Sequence, residues 1–368
     1  MYNRGDPGAR PGLLLRMDVV ILIVVAALLA LIPTLIYALI IWWLDRHEKE
    51  PLPLLVVAFV WGAVPAVILA IVLEIVAGIP LEQLLVSESA VDAASTNIIA
   101  PVVEELVKAV ILVVLFIAYK REFDNVLDGI VYGAMVGLGF AFVENILYLG
   151  GEAGEGGSIG GMVALWIFRA GVFGLNHSMF TAMTGAALGL ARSLRQPALK
   201  GLVPVLGITA AIVFHAAHNT LVTQVADLAL DESDLTPLLG ACVAIFAADW
   251  GGILLVFVLA MVSSSREAHV MRETLIEEVA LGRFTPDEYE TLVSGRKRLS
   301  ARWAVLFTRG LRPWRQLGRF FDLSTELAFR KHRMHDGDLI HRNISAKEVA
   351  KLRTEIDTLK GIILAGAR

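Results

Sequence analysis

Five residues able to do acid–base or ligand chemistry stand inside strongly apolar stretches of this chain: Glu104, Glu105, Glu144, His177 and His215. An ionisable group in lipid costs roughly 2.5–3.5 kcal/mol on insertion scales, so each must be offset by pairing, water, a metal or a function. Two neighbouring carboxylates in a low dielectric cannot readily both ionise, which leaves one of the pair free to serve as a general base. Nearby imidazoles can bind an oxyanion, move a proton or hold a metal. A set of this composition also suits zinc with one position open for water, and the tentative ligand set is Glu105, Glu144, His177 and His215. Peptide hydrolysis inside a membrane needs these parts and a little trapped water.

Their depth is informative. Glu105 lies 14 residues from Tyr119, Glu104 lies 15, Glu144 lies 16 from Asp128, His177 lies 15 from Arg192 and His215 lies 15 from Lys200. At about 1.5 Å per residue, four separate helices place an acid or imidazole roughly 22 Å above the cytoplasmic surface. In a hydrocarbon core about 30 Å thick that is the outer third. Independent structural charges have no reason to share a layer, whereas a common site does. Around this layer, Lys108 follows Glu105 by three residues and Glu104 by four, one turn deeper, either as a catalytic group or as a counter-charge for the acid pair. Asn219 follows His215 by four residues on one face, with His218 close to it, and Asn145 adjoins Glu144. His218 reads as a helix-packing residue, Asp249 and Arg169 as structural partners of each other, and Glu74 as solvated near the outer end of its span.

The elements that must carry these residues are membrane spans. Mean hydropathy is +0.67, with 56% hydrophobic and 18% charged residues, where a soluble domain has about 25% charged. Seven segments have the ~20 apolar residues a span needs: 19–44, 53–79, 98–119, 128–149, 162–191, 202–224 and 238–262. The fifth contains Arg169, Gly171 and Gly174 and reads as a short helix followed by a second from about Leu175. Gly129, Gly133, Gly137 and Ala141 recur at four-residue steps below Glu144, a spacing that lets a neighbouring helix approach closely. The fold expected is an all-α, polytopic bundle of about seven to eight spans, with an N-terminal tail over 1–18, a membrane domain over 19–262 and a helical cytoplasmic region over 263–368. The first span is too long for the apolar core of a cleaved signal and is expected to be retained.

Charge sets the orientation. The loops at Arg46–Lys49, Lys120–Arg121 and Arg192–Lys200 are basic, and those at Glu82–Asp92, Glu152–Glu155 and Asp227–Asp234 hold no Lys or Arg, so the N-terminus is expected outside and the tail inside. Arg4, Arg10 and Arg16 pull the other way for the first helix. From Ser263 onward there are 20 Lys and Arg against 14 Asp and Glu. A basic tail after an apolar, acidic body predicts contact with anionic lipid. No nucleotide-binding glycine loop, zinc-finger spacing or internal repeat is visible, so no nucleic-acid partner is expected, and the single cysteine, Cys242, permits no intrachain disulfide.

Taken in order, Glu104-Glu105-x-x-Lys108, Asp128-Gly129 with Phe140-Ala141-Phe142-Val143-Glu144-Asn145, His177 with Thr181 and Gly185, and His215-x-x-x-Asn219 resemble the motifs of the PrsW family. The loop Asp45-Arg46-His47-Glu48-Lys49-Glu50-Pro51 is similar to that family's first cytoplasmic loop, and the resemblance covers about 34–262. These are bacterial intramembrane proteases, often called metalloproteases, related to type II CAAX prenyl proteases and to a γ-secretase scaffold subunit. The resemblance implies an endopeptidase of the cell membrane that makes the first cut in a single-span membrane protein such as an anti-sigma factor, on its extracytoplasmic side. Carried over by motif, the catalytic set is Glu104, Glu105, Glu144, His177 and His215 with Asn219 as helper, supported by Lys108, Asn145 and His218. The sequence departs from the pattern at His218, where the family more often has an aromatic or apolar residue, and the long tail lies outside the family core.

Two other classes compete with a hydrolase. A proton-coupled transporter or channel predicts ionisable sites spread through the membrane's thickness and inverted repeats; a single layer and the missing repeat weigh against it. A non-catalytic scaffold would have no need for the full motif set. Oligomeric state, substrate and the use of zinc are open at this level.

Overall fold

The computed structural model describes residues 11–45, 49–84, 87–120, 122–154, 158–229, 235–335 and 346–365. Arg4, Arg10, Arg46, His47, Glu48, Arg121, Glu155 and residues 231–234, which entered the reading of the tail and loops, lie outside them. Among the described residues there are helices and no strands. The helices are α1 (Pro11–Leu44), α2 (Leu52–Trp61), α3 (Val67–Leu84), α4 (Glu88–Ala94), α5 (Ala100–Ala118), α6 (Val126–Gly154), α7 (Ile159–Leu165), α8 (Asn176–Ser193), α9 (Pro197–Ala229), α10 (Leu235–Ala280), α11 (Pro286–Leu292), α12 (Gly295–Arg309), α13 (Leu311–His335) and α14 (Ala346–Ala365).

Among the described residues, six helical runs can cross a membrane by length and composition: Val20–Leu44, Leu52–Pro80, Val126–Gly154, Ile159–Ser193, Pro197–Ala229 and Leu235–Ala280. The expected third span is present as α5, but its 19 residues carry Glu104, Glu105 and Lys108, and this charge keeps it out of that set.

Among the described residues, three π-helical turns interrupt the helices. Gly62–Ala66 contains Pro65, which has no N–H to donate. Ser95–Ile99 precedes α5, whose second residue is Pro101. Trp166–Val172 leads into the break before α8. At that break a Cβ on Gly174 would lie 2.2 Å from the Ala170 carbonyl oxygen and 2.7 Å from the Tyr37 ring, so only glycine fits.

The chain divides into two compact units, one of residues 1–43 and 50–260, the other of 44–49 and 261–368. In the first, α6 and α8 pack backbone to backbone along the glycine stripe. A Cβ on Gly129 would lie 2.0 Å from the Gly185 oxygen, one on Gly133 2.5 Å from the Thr181 oxygen, and one on Gly137 2.1 Å from the His177 oxygen. The small-residue stripe therefore sets the height of His177 against α6. Asp128 anchors the start of α6, accepting from the backbone N–H of Asp124 (2.8 Å) and Asn125 (2.9 Å), and the Tyr132 hydroxyl donates to Glu50. At the other end of α8, Arg192 donates to the carbonyls of Phe116 and Phe123 and lies over the Phe116 ring. Trp61 Nε1 donates to the Val107 carbonyl, 3.0 Å, holding the α2 end against α5.

The second unit builds its own apolar core from Met271, Leu275, Phe284, Leu292, Phe320, Leu327 and Ile356, drawn from α10, α11, α13 and α14 and the turn after α10. Glu278, fully buried, is shared by Arg283, Lys331 and Arg353 at 2.6–2.7 Å.

Candidate functional site

In the first unit, α5, α6, α8 and α9 bring Glu104, Glu105, Lys108, Glu144, His177 and His215 together. Glu105 is fully buried and held on both oxygens. Its Oε1 accepts from Lys108 Nζ (2.9 Å) and lies 3.1 Å from His215 Nδ1, and its Oε2 accepts from Thr181 Oγ1 at 3.0 Å. Lys108, also fully buried, bridges the acids, donating to Glu104 Oε2 at 2.9 Å and lying 3.8 Å over the Phe140 ring. The counter-charge is thus the hub of the cluster.

Donor capacity fixes the imidazole tautomers. Lysine has no acceptor, so His177 Nδ1, 3.1 Å from Lys108 Nζ, must accept there. His177 Nε2 then carries the hydrogen and donates to Glu144 Oε2 at 2.6 Å. On His215 the order reverses: Nδ1–H donates to Glu105, which leaves the Nε2 lone pair facing Glu104 Oε2 at 3.8 Å. His177 Nδ1 lies 3.9 Å from the same oxygen. Two imidazole nitrogens therefore approach one oxygen of Glu104, His177 Nδ1 with its lone pair taken by Lys108 and His215 Nε2 with its lone pair free. The rings stand perpendicular with centroids 5.0 Å apart, and His215 stacks on Phe180 at 4.8 Å.

One ligand atom each from Glu104, Glu105, His177 and His215 falls within 4.8 Å of the others, a group able to hold a metal ion. It differs from the expected set by having Glu104 in place of Glu144, because Glu144 meets the far nitrogen of His177 and acts on its outer side. Two carboxylate oxygens and two imidazole nitrogens are the donors zinc takes. The donor chemistry fits such an ion, and Lys108 Nζ competes with it for the same oxygens.

Other residues sit differently from expectation. Arg169 pairs with Glu144 at 2.6 Å and lies over the Tyr148 ring, so it is not the partner of Asp249. Asp249, buried on α10, is 2.8 Å from His218 Nδ1 and accepts from Asn176 Nδ2 at 2.9 Å, so His218 has polar partners where it packs between helices. Asn219 donates to the Thr96 carbonyl, 2.9 Å, on the turn before α5 rather than to the cluster. Asn145 is buried beside Glu144, and Glu74 is half-buried on α3. The sequence signal for Arg169 was available: it is the only Lys or Arg between Arg121 and Arg192, and a lone cation in a span needs an acid.

Residues 50–262, more than half of the chain, match the family described as PrsW family intramembrane metalloprotease. Among curated relatives, the chain is similar to Protease PrsW of Clostridioides difficile (37% identical over 34% of this chain and 51% of that protein). It is also similar to Protease PrsW of Geobacillus kaustophilus (34% identical over 40% of this chain and 58% of that protein) and of Oceanobacillus iheyensis (34% identical over 29% and 45%). The chain spans about half the length of these relatives in the matched regions. No solved structure matches it.

Proposed function

Because this chain belongs to the PrsW family of intramembrane metalloproteases, we propose that it is a membrane-embedded endopeptidase making the first cut in a single-span membrane protein, such as an anti-sigma factor. The observation that carries this reading is the convergence of two imidazole nitrogens, His177 Nδ1 and His215 Nε2, on Glu104 Oε2 from separate helices. That oxygen is where a water can be held and deprotonated.

Glu104 takes the proton of the attacking water and returns it to the leaving amine. Glu105 fixes His215 with Nε2 pointing inward, and Glu144 does the same for His177 with Nδ1 inward. Lys108 balances the carboxylates as charge moves between them. Glu104, Glu105, His177 and His215 would hold a zinc ion, which when bound would polarise the scissile carbonyl and acidify the water. Counting 14 to 16 residues from the cytoplasmic helix ends supports a site in the outer third of the bilayer, with the C-terminus inside.

The test is cleavage of candidate single-span substrates by purified protein. Glu104→Gln and His215→Ala should each lose activity while the protein accumulates normally. Full cleavage by both variants would remove the assignment. Proton-coupled uptake by proteoliposomes without any peptidase activity would favour the transporter reading.

A further inference from the structure

Between Glu290 and Asp322 the chain has eight Lys and Arg and no acidic residue. Most of this stretch is α12 and the start of α13, in the second unit. One face of α12 is anchored: Arg298 is buried, donating to the Leu292 carbonyl and the Thr325 hydroxyl, and Ala301 packs on the unit's apolar core. The other face carries Leu299, Trp303 and Phe307 at four-residue steps, continued by Leu311 after the turn at Gly310. Phe307 is 81% exposed and Trp303 50% exposed, their rings stacked 5.6 Å apart. Neither belongs to the apolar core below.

Exposed aromatics in such a row stay unpaid for in water. Around them Arg296, Arg309, Arg312 and Arg315 are exposed and meet no acidic partner among the described residues. Apolar rings flanked by unpaired guanidinium groups are the pattern of a helix lying in a lipid interface, with rings among acyl chains and cations at anionic headgroups. The unit is also covalently tied, through α10, to the apolar run that ends near Val262, so a lipid surface is always within reach of the chain.

We propose that α12, with the first turn of α13, docks on an anionic lipid surface through Leu299, Trp303, Phe307 and Leu311. Arg296, Arg309, Arg312 and Arg315 supply its charge selectivity. The occupant is the bilayer, not a nucleic acid or an acidic protein. This inference is independent of the peptidase reading.

The test uses the full chain with Cys242→Ser and Ser300→Cys, an environment-sensitive fluorophore at 300, reconstituted in phosphatidylcholine vesicles with or without phosphatidylglycerol. Both leaflets have the same composition and iodide is loaded on both sides of the membrane, so insertion orientation does not matter. Expected are a blue shift and loss of iodide quenching only with phosphatidylglycerol, reversed by high salt and abolished by combined Arg296→Glu, Arg309→Glu and Arg312→Glu. The salt titration of the unreversed protein stands even if that variant fails to fold. A probe equally open to iodide in both vesicles overturns the proposal. So does one equally shielded in both, which means protein covers the face, or one shielded only when RNA or an acidic protein is added.

Discussion

The carboxylate of Asp249 on α10 lies 2.8 Å from His218 Nδ1 on α9, and the same oxygen accepts from Asn176, the residue before His177 on α8. One buried acid thus ties three helices immediately beside the cluster. Asn176 leaves its own side-chain oxygen buried without a partner, so its side chain is held through Nδ2, by Asp249 and by His218 Nδ1 at 3.1 Å.

Removing the acid should therefore be felt at His177. Asp249→Leu leaves His218 and Asn176 only their 3.1 Å contact with each other, a loss of about 1–3 kcal/mol for buried polar groups, and should lower cleavage while Asp249→Asn retains more of it. Rate measurements on protein normalised for membrane content decide this. Equal losses in the two variants would mean that Asp249 acts only by filling space.

How much of this was legible in the residue order follows from helix geometry. Height along a helix is a count of residues, and the counts of 14 to 16 brought Glu104, Glu105, Glu144, His177 and His215 to one layer. The glycine stripe was legible for the same reason, since Gly129, Gly133 and Gly137 share a face whatever lies opposite. Direction around the helix was not. Each residue advances the helix by about 100°, so a π turn that inserts one residue rotates everything beyond it. The turns at Ser95–Ile99 and Trp166–Val172 do this before α5 and through Arg169. Arg169 consequently faces Glu144 and not Asp249, and Asn219 meets the Thr96 carbonyl in the first of those turns.

The glycine contact at Gly137 makes a sharp prediction. A methyl group there would sit 2.1 Å from the His177 oxygen, so α6 and α8 must separate. Overpacking of this kind costs about 1–3 kcal/mol, and Gly137→Ala should lower both thermal stability and cleavage. Gly150→Ala, on the same helix with nothing within 4 Å, is the control and should leave both unchanged. If the two behave alike, close approach is not what places His177.

Arg169 and Glu144 should behave as a unit. Arg169→Gln strips the guanidinium from Glu144 and Glu144→Gln strips the charge from Arg169, and both loosen the grip on His177 Nε2. Each single change should reduce turnover on the order of tenfold, less than the roughly 100- to 10,000-fold an acid–base group itself contributes, because His177 remains and only its positioning is lost. The double variant should be little worse than either alone. Multiplicative losses in the cycle would separate the two residues and leave Arg169 as a packing cation over Tyr148.

Lys108 is the place where the metal question can be decided without relying on activity. Its ammonium touches three of the four residues in the ligand group: Glu104 and Glu105 at 2.9 Å and His177 at 3.1 Å. Lys108→Met leaves two buried carboxylates without a cation, and breaking a buried pair in this way costs about 3–5 kcal/mol. The variant should be strongly destabilised in detergent. A divalent ion would restore the missing charge on the same oxygens, so zinc should raise the melting temperature of Lys108→Met far more than that of the unaltered protein, and a chelator should reverse the gain. Metal analysis of both proteins completes the measurement. If zinc neither stabilises the variant nor co-purifies with the unaltered chain, the ligand group is an ammonium-bridged acid pair, and hydrolysis would proceed by Glu104 and the two imidazoles without an ion.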